Sequence, residues 1–230
     1  MPQDHSSAQT FARLAAELHA LDTVELTVDG VVQYALQAVW CKYASVVLIT
    51  KSRRPEVVAA TDTKLAELYR LQIEAGQGPL LTTIAEEATV YVPDVATEDR
   101  WSDSWSAQLA QAGLASAIHL PLMVAGRARA VLSLYSDKPH GFDADDLAVA
   151  HILAEHASVA ISTARHNHSM TQAVDARRLV GQAIGILMER FQLDSDRAFE
   201  VLKRYSQDSN RKLRAVADEI IATRELPDRK

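Results

Sequence analysis

The order of strand-like and helix-like segments is the feature that most limits the fold of this chain. Short segments rich in β-branched residues occur only between residues 44 and 136, and the segments on either side have helical spacing. Strands that are grouped together and bracketed by helices predict an α+β domain rather than alternating βαβ units. Beyond residue 168 no strand-like segment occurs, so the C-terminal part is predicted to be helical throughout.

The first part of the chain is predicted to form an antiparallel sheet flanked by helices. The clearest strand pair is SAIHLPLMV (116–124) and ARAVLSLYS (128–136), which a short A-G-R turn joins into a hairpin. The remaining strands are predicted over 44–50, over the RRPEVVAAT segment that follows, and over 88–94. Helices are predicted over 8–40, with a break at Asp22 or Thr23, over 61–76, ending at Gly76, and over 106–113.

The C-terminal part is predicted to be an all-α three-helix bundle. Asp143 is a candidate N-cap for a long helix that runs from Ala144 to about Phe191. Two further helices are predicted to begin near Asp194 and near Ser209, after short connections. We therefore expect one domain over residues 1–165 and a second over 166–230, joined by the long helix. A domain of about 60 residues has only a modest core.

The net charge also differs between the N-terminal and C-terminal parts of the chain. Residues 1–168 carry 12 Lys and Arg against 20 Asp and Glu, a net charge of −8, whereas residues 169–230 carry 12 against 10, a net charge of +2. This asymmetry predicts that the two parts have different partners.

Several features favour a cytoplasmic protein with no membrane contact. Cys41 is the only cysteine, which excludes an internal disulfide and fits a reducing cytosol. The first 20 residues lack the basic start and apolar stretch of a signal peptide. No apolar run approaches the roughly 20 residues that a membrane helix needs.

A basic cluster near the start of the third bundle helix is the candidate binding site. Basic, hydroxyl and amide side chains of this kind contact nucleic-acid phosphates and base edges. On these residues alone, a solvated helix start whose charges only aid solubility is the favoured interpretation. The candidate RNA-contacting residues are Lys203, Arg204, Ser206, Asn210, Arg211, Lys212 and Arg214.

No enzyme, metal or cofactor site is predicted. The sequence contains no G-x-S-x-G, Walker A, H-E-x-x-H or dinucleotide-binding motif. Pro79 follows the Gly76-Gln77-Gly78 segment and cannot donate an N–H group to a phosphate. No histidine pair has the i, i+4 spacing that aligns two metal ligands on a helix, and His166 and His168 point about 200° apart, so surface histidines are the favoured interpretation.

Two glycines in the segment GQAIGILMER raise a structural question. Each of Gly181 and Gly185 destabilises a helix interior by about 1 kcal/mol relative to alanine. We expect them to permit close packing against another helix of the same bundle, with a partner chain as the alternative.

Residues 177–223 closely resemble the ANTAR domain, the RNA-binding module of transcription antitermination regulators. The matching pieces are GQAIGILMER, DRAFEVLKRYSQDSNRKL and the pair Val216 and Ala217. The resemblance implies a three-helix bundle that binds tandem RNA hairpins in nascent transcripts, commonly as a homodimer, and favours an antiterminator over a terminator. One departure is Ile184, where many members of the family carry lysine.

Residues 22–165 resemble a GAF domain more loosely. The matching stretches are GQGPLL, VYVPDVATEDRW and the segment from Gly113 to Asp146. The resemblance implies a GAF-like antiparallel sheet that senses a small molecule or a protein. The alternative for each candidate pocket residue is a role in stabilising a loop. The candidates are Asp94, Asp99, Arg100, Trp101 and His119.

The combined expectation is a signal-responsive RNA-binding regulator of transcription antitermination with no catalytic activity. The alternative is a small-molecule-sensing protein-interaction module without specific RNA targets, in which the basic cluster contacts an acidic protein surface. Binding to DNA is a weaker third hypothesis, because the third helix carries few basic residues for the major groove.

Overall fold

The computed structural model of the protein describes residues 13, 16–18, 20, 21, 23–50 and 54–226. Most of the first half of the predicted helix 8–40 lies outside these residues. Packing divides the chain into two compact units, and the boundary falls between His166 and Asn167.

From Val24 onward, the described residues of the first unit form five strands and four helices, together with the beginning of a fifth helix. In chain order these are α1 (Val24–Ala38), β1 (Tyr43–Ile49), β2 (Pro55–Ala60), α2 (Lys64–Ala75), α3 (Pro79–Glu86), β3 (Val90–Val92), a 3-10 turn (Val95–Thr97), α4 (Asp103–Gln111), β4 (Ser116–Val124), β5 (Arg127–Ser136) and α5 (Ala144–Phe191). The predicted break before α1 is confirmed, since the Thr23 hydroxyl accepts a hydrogen bond from the Leu26 N–H at 3.2 Å.

The sheet is antiparallel throughout, with the strand order β2-β1-β5-β4-β3. Its longest pairing joins β4 to β5, from Ser116 opposite Ser136 to Val124 opposite Arg127. Ala125 and Gly126 both have positive φ, at 53° and 74°, which is the backbone that a two-residue hairpin turn requires. The predicted hairpin is therefore confirmed.

The two faces of this sheet are covered by different helices. One face packs against α1 and the first part of α5, and its core includes Val31, Ile118, Leu132 and Ala157. The other face packs against α2, α3 and α4. Alternate residues of β4 and β5 serve the two cores, as the period of two in a strand requires.

Local signals explain most of the helix ends. The Asp143 carboxylate accepts from the N–H groups of Asp145 and Asp146, both at 2.9 Å, so the predicted N-cap of α5 is confirmed. Gly76 ends α2 in the left-handed conformation with φ of 67°. Helix α3 is not predicted from the sequence, although Pro79 occupies a favoured first helical position.

Helix α5 is 48 residues long and passes through the boundary between the units. It contains an 18-residue window with a mean hydropathy of 1.3, and 39% of this window is buried. By length and composition alone, the helix is long and apolar enough to cross a membrane. The expectation that no apolar run reaches this length is thus corrected. Buried residues such as Leu153, Ala157 and Ile161 fill the core of the first unit, which accounts for the apolar character of that part of α5.

The second unit is a helical bundle formed by the end of α5, by α6 (Ser195–Asp208) and by α7 (Leu213–Thr223). Asp194 caps α6 by accepting from the Arg197 N–H at 2.8 Å. The bundle has a small core whose buried members are Ala183, Leu187, Ala198, Leu202, Val216, Ala217 and Ile220. This matches the all-α bundle predicted for the C-terminal part.

The third bundle helix begins later than predicted. Helix α7 starts at Leu213, with Lys212 at the N-cap, rather than near Ser209. Asn210 adopts φ of 50°, which no continuous helix allows, so residues 209–212 form a turn. Asn210 and Arg211 are therefore turn residues rather than positions on the face of a helix.

Candidate nucleic-acid interface and sensor site

The turn between α6 and α7 is held by hydrogen bonds of its own. The Ser206 hydroxyl donates to the Arg211 carbonyl at 2.6 Å, and the Arg211 N–H donates to the Ser206 carbonyl at 3.0 Å. Ser206 is half-buried, and its hydroxyl proton is committed within the protein. Of the candidate site residues, Ser206 is thus placed to fix the shape of the turn rather than to donate to a phosphate.

The other candidate residues are exposed. The structure brings them to one end of the bundle, at the close of α6, in the turn and at the start of α7. The exposed members are Lys203, Arg204, Asn210, Arg211, Lys212 and Arg214.

Two of the five cations have partners inside the bundle. Lys203 lies 3.3 Å from Glu200 on the preceding turn of α6, and Arg211 pairs with Glu219 on α7. Among the described residues, no ion pair engages Arg204, Lys212 or Arg214. Exposed ion pairs contribute little to stability, about 0–1 kcal/mol, so a phosphate can compete for both paired cations.

Sequence reasoning did not find Glu219. Its carboxylate holds the guanidinium of Arg211, eight residues earlier, across the turn. No helix spacing predicts this contact, because the two residues lie on different elements and the turn sets their approach. Glu219 therefore limits how freely Arg211 can meet an anion.

Gly181 and Gly185 do not pack as predicted. Both are exposed on α5, and a Cβ built at either position has no neighbouring atom within 4 Å among the described residues. The expectation that they admit a helix of the same bundle is wrong. Wheel geometry explains this, because Ala183 and Leu187 of the buried face point away from the two glycines.

In the first unit, several candidate pocket residues stabilise a loop instead. Asp94 caps the 3-10 turn by accepting from the Ala96 N–H at 2.9 Å. Arg100 pairs with Glu98 at 2.6 Å, donates to the Tyr91 carbonyl at 2.8 Å and lies over the Trp101 ring. This pairing raises the pKa of Arg100 and lowers the pKa of Glu98.

Trp101 and Asp99 complete this loop. The Trp101 indole N–H donates to the Thr82 hydroxyl at 3.0 Å, which ties the loop to α3, and Asp99 is exposed. The structure therefore does not bring the five candidate pocket residues together in one cavity. Four of them lie in the loop between β3 and α4, and His119 lies on β4.

His119 is the one candidate residue that lies in the core. Its Nδ1 is 2.9 Å from the Ser133 hydroxyl, its ring meets Tyr135 edge-on at 5.5 Å, and its Nε2 has no partner among the described residues. Burial and, to a lesser extent, the charge of Arg100 lower the pKa of His119 to about 3. The imidazole is consequently neutral at physiological pH.

A short chain of buried hydroxyl groups lies in the same core. The Tyr135 hydroxyl donates to the Tyr69 hydroxyl at 2.8 Å, and the Tyr69 and Ser45 hydroxyls are 2.6 Å apart. Burial raises the pKa of both tyrosines. These contacts link α2 to β1 and β5 through polar groups that are satisfied by one another.

Cys41 is poorly suited to covalent chemistry. Burial raises the pKa of its thiol to about 12, and its Sγ lies 3.7 Å from the Ala35 carbonyl. A thiol with such a pKa is almost entirely protonated near neutral pH, so it is a weak nucleophile.

Two known domain families match the sequence. The GAF domain family matches residues 22–162, more than half of the chain, and the chain therefore belongs to this family. The ANTAR domain family matches residues 168–221, which contain the bundle and its basic turn. Both predicted resemblances are confirmed, and the order of the two domains is as expected.

Solved structures share the GAF fold at low identity. A domain of a putative two-component sensor histidine kinase from Sinorhizobium meliloti 1021 is 22% identical, with a TM-score of 0.55, and the match covers 66% of this chain and 99% of that one. The GAF domain of a phosphoenolpyruvate-protein phosphotransferase from Coxiella burnetii is 16% identical, with a TM-score of 0.58, covering 71% and 96%.

A third similar structure is an enzyme, free methionine-R-sulfoxide reductase from Neisseria meningitidis. It is 15% identical, with a TM-score of 0.54, and the match covers 70% of this chain and 90% of that one. At these identities the likeness shows the fold alone. No curated protein matches the sequence significantly.

The two domains together define the class of this protein. A GAF domain is a sensor and an ANTAR domain is a regulatory output domain, so their succession is that of a signal-responsive regulator of the antitermination type. Both domains are regulatory rather than catalytic.

Proposed function

We propose that this protein binds tandem RNA hairpins in nascent transcripts through the turn between α6 and α7, and that it thereby favours transcription antitermination in the cytoplasm. The observation that carries the proposal is the group of exposed cations at this turn, within a domain of the ANTAR family. The RNA-binding domain comprises residues 166–230, and the sensor domain residues 1–165.

The geometry of the turn suits phosphate recognition. Arg211 and Arg214 supply planar guanidinium groups that bind phosphate oxygens in a bidentate manner, whereas Lys203 and Lys212 act as point charges. Helix α7 begins at the turn with no side chain capping its first N–H groups. An uncapped helix N-terminus attracts anions, so its N–H groups add to the same surface.

A homodimer is part of the proposal, and the exposed face of α5 supports it. Taking 100° per residue, the exposed residues Met170, Val174, Gly181, Gly185 and Met188 fall within about 60° of one another on α5. Because no described residue of the chain lies near the two glycines, a second copy of α5 can approach this face closely. Two copies would bring two basic turns to two hairpins, which increases the effective concentration of the second contact.

The dimer is tested separately by light scattering over a range of concentrations. Wild-type protein is expected to give the mass of a dimer, and Val174→Glu with Met188→Lys to give that of a monomer. The control, Glu189→Lys with Gln182→Glu, changes exposed residues outside this face and should remain dimeric. A wild-type protein that is monomeric at every concentration would refute the dimer.

RNA binding is tested by fluorescence anisotropy with a tandem-hairpin RNA and a DNA duplex of equal phosphate number, over a salt series. Each lost phosphate contact should reduce the salt slope by about 0.7–0.9. Arg211→Ala with Arg214→Ala is expected to weaken RNA binding and flatten this slope. The control, Arg178→Ala with Arg197→Ala, removes the same charge elsewhere in the unit. It should change neither the RNA affinity nor the salt slope greatly.

Two results would count against the proposal. Equal affinity for the hairpins and the duplex would indicate non-specific charge attraction, as expected of a protein-interaction module. Unchanged affinity of the Arg211→Ala, Arg214→Ala variant would remove the turn from the binding site.

A further inference from the structure

Two residues that line a cleft between α2 and α4 of the sensor domain each carry a buried N–H group without a partner among the described residues. The cleft has a volume of about 210 Å³ and is lined by the end of α2 with the residues after it (71–77) and by the start of α4 with its N-cap (102–108). Gln72 and Trp105 both line it, and they are 2% and 5% exposed. Among the described residues, neither Nε2 of Gln72 nor Nε1 of Trp105 has a hydrogen-bond acceptor.

The orientation of the Gln72 amide is fixed by its surroundings. Its Oε1 accepts a hydrogen bond from the Leu80 N–H at 3.0 Å, so a rotated amide would set its NH2 group against that donor. The side chain also packs onto Gly78, where φ is 137° and an added Cβ would lie 2.4 Å from Oε1. Gly78 thus makes room for Gln72 and leaves its NH2 group as the unused donor.

Trp105 is also held in place. Its ring meets Trp101 edge-on at a centroid distance of 5.3 Å, and Trp101 is itself hydrogen-bonded to Thr82. A buried donor without an acceptor is unfavourable and uncommon in native proteins. Two such donors lining one cleft indicate an acceptor that the chain itself does not supply.

The start of α4 favours an acceptor with negative charge. Ser102, the N-cap, makes no side-chain hydrogen bond to the helix, because its hydroxyl is paired with that of Ser104 at 2.8 Å. A helix N-terminus attracts anions. The one carboxylate described in the lining, that of Glu74, is paired with Arg70, so it does not oppose an incoming anion strongly.

The size of the cleft limits the ligand. Pockets for drug-sized ligands and cofactors usually measure about 300–1,000 Å³, so a cleft of this volume suits a smaller molecule. We infer that this cleft is the ligand site of the sensor domain, and that it binds the carboxylate of a small organic acid, whose oxygens accept hydrogen bonds from Gln72 Nε2 and Trp105 Nε1. The inference rests on the sensor role of this domain and not on RNA binding.

The test is a titration of the ¹⁵N-labelled full chain, followed through the indole N–H resonances of its tryptophans. The probes are acetate, propionate, butyrate and succinate up to millimolar concentrations, with propionamide and 1-propanol as neutral controls. At least one carboxylate is expected to shift the Trp105 resonance saturably and downfield, since a hydrogen bond forms at that proton. The resonance of Trp40, which is 90% exposed, is expected to stay in place.

Variants assign the binding to the two donors. Gln72→Glu keeps an acceptor for the Leu80 N–H but removes the donor, and Trp105→Phe removes the indole N–H. Binding by the first variant is read from the Trp105 indole resonance, and binding by the second is read from the side-chain amide resonances of Gln72. Each is expected to weaken the carboxylate about tenfold or more, the effect of losing one charge-assisted hydrogen bond. Trp40→Phe, a matched control at an exposed tryptophan outside the cleft lining, should bind like the wild type.

The inference is overturned if no carboxylate shifts Trp105, which would mean that solvent alone serves these donors. It is equally overturned if both Gln72→Glu and Trp105→Phe bind like the wild type, or if propionamide binds as well as propionate. None of these results depends on RNA, and a failure of the hairpin-binding experiment would leave the titration unaffected.

Discussion

The two units of this protein keep their polar chemistry in opposite places. In the sensor unit the notable polar groups are buried, with His119, Tyr69, Tyr135 and Gln72 all within the core layers. In the C-terminal unit the buried core is apolar, and the candidate binding groups are exposed around the turn between α6 and α7. A small ligand can be enclosed and recognised by buried donors, whereas a polyanion can only be met at a surface.

The largest expected effect concerns the core of the C-terminal unit. Leu202→Ala removes a fully buried side chain from a core with few members, and should lower the free energy of unfolding of this unit by about 2–5 kcal/mol. Chemical denaturation followed by hydrogen exchange should show the loss in residues 167–226 and much less in the sheet.

Leu132→Ala, in the sheet core, is the matched control and should show the reverse pattern. Equal loss of protection in both units for either variant would contradict the view that each unit has its own core.

The next effect is a pH dependence confined to the sensor unit. The pKa of His119 is lowered from 6.5 to about 3 in the folded protein, so the unfolded chain binds a proton more readily as the pH falls below 6.5. Stability is therefore full above pH 6.5 and declines as the pH falls towards 3. Between pH 7 and pH 5 the wild type should lose about 2 kcal/mol more than His119→Gln.

Urea denaturation at the two pH values measures this difference. His151→Gln replaces an exposed histidine of the same unit and should keep the wild-type pH dependence. A His119→Gln protein that loses as much stability as the wild type would show that another group titrates.

A smaller effect of opposite sign is expected at the exposed glycines. Because an added Cβ meets no atom of the residues that the structure describes, Gly181→Ala and Gly185→Ala should each stabilise the monomeric bundle by up to about 1 kcal/mol through helix propensity. The measurement is the thermal unfolding of the Val174→Glu, Met188→Lys variant, which is expected to be monomeric. It is made with and without each glycine-to-alanine substitution. Destabilisation there would mean that an element of the same chain approaches the glycines after all.

The smallest effect concerns the ion pair of Arg211. Glu219→Gln releases the guanidinium and removes a nearby negative charge, so RNA affinity should rise by an amount corresponding to about 0.2–1 kcal/mol. Glu200→Gln, beside Lys203, is a companion variant expected to act in the same direction. Anisotropy titrations with the hairpin RNA would show this, and lower affinity for both variants would indicate that these carboxylates position the cations productively.

Local signals made much of the fold predictable. The β4–β5 hairpin, the Asp143 cap and the end of α2 at Gly76 each depend on neighbouring residues, and each prediction is confirmed. Helix α3 was missed even though Pro79 marked its start, because its eight residues are too few to establish a period.

Features that depend on tertiary contacts could not be predicted in the same way. The sequence locates the cations of the turn, but not the pairing of Arg211 with Glu219, and it placed the start of α7 too early because the conformation of Asn210 is set by the turn as a whole. Likewise, the unpartnered donors of Gln72 and Trp105 can be recognised only once the positions of the neighbouring acceptor atoms are known from the structure.

The central claim, that RNA contacts the turn between α6 and α7, is tested most directly by ultraviolet crosslinking of the full chain to a tandem-hairpin RNA, followed by mass spectrometry of the crosslinked peptides. The account predicts crosslinks within residues 203–214 of the C-terminal unit, and their loss in the Arg211→Ala, Arg214→Ala variant. Crosslinks that fall mainly in the sensor unit, or that persist unchanged in this variant, would contradict it.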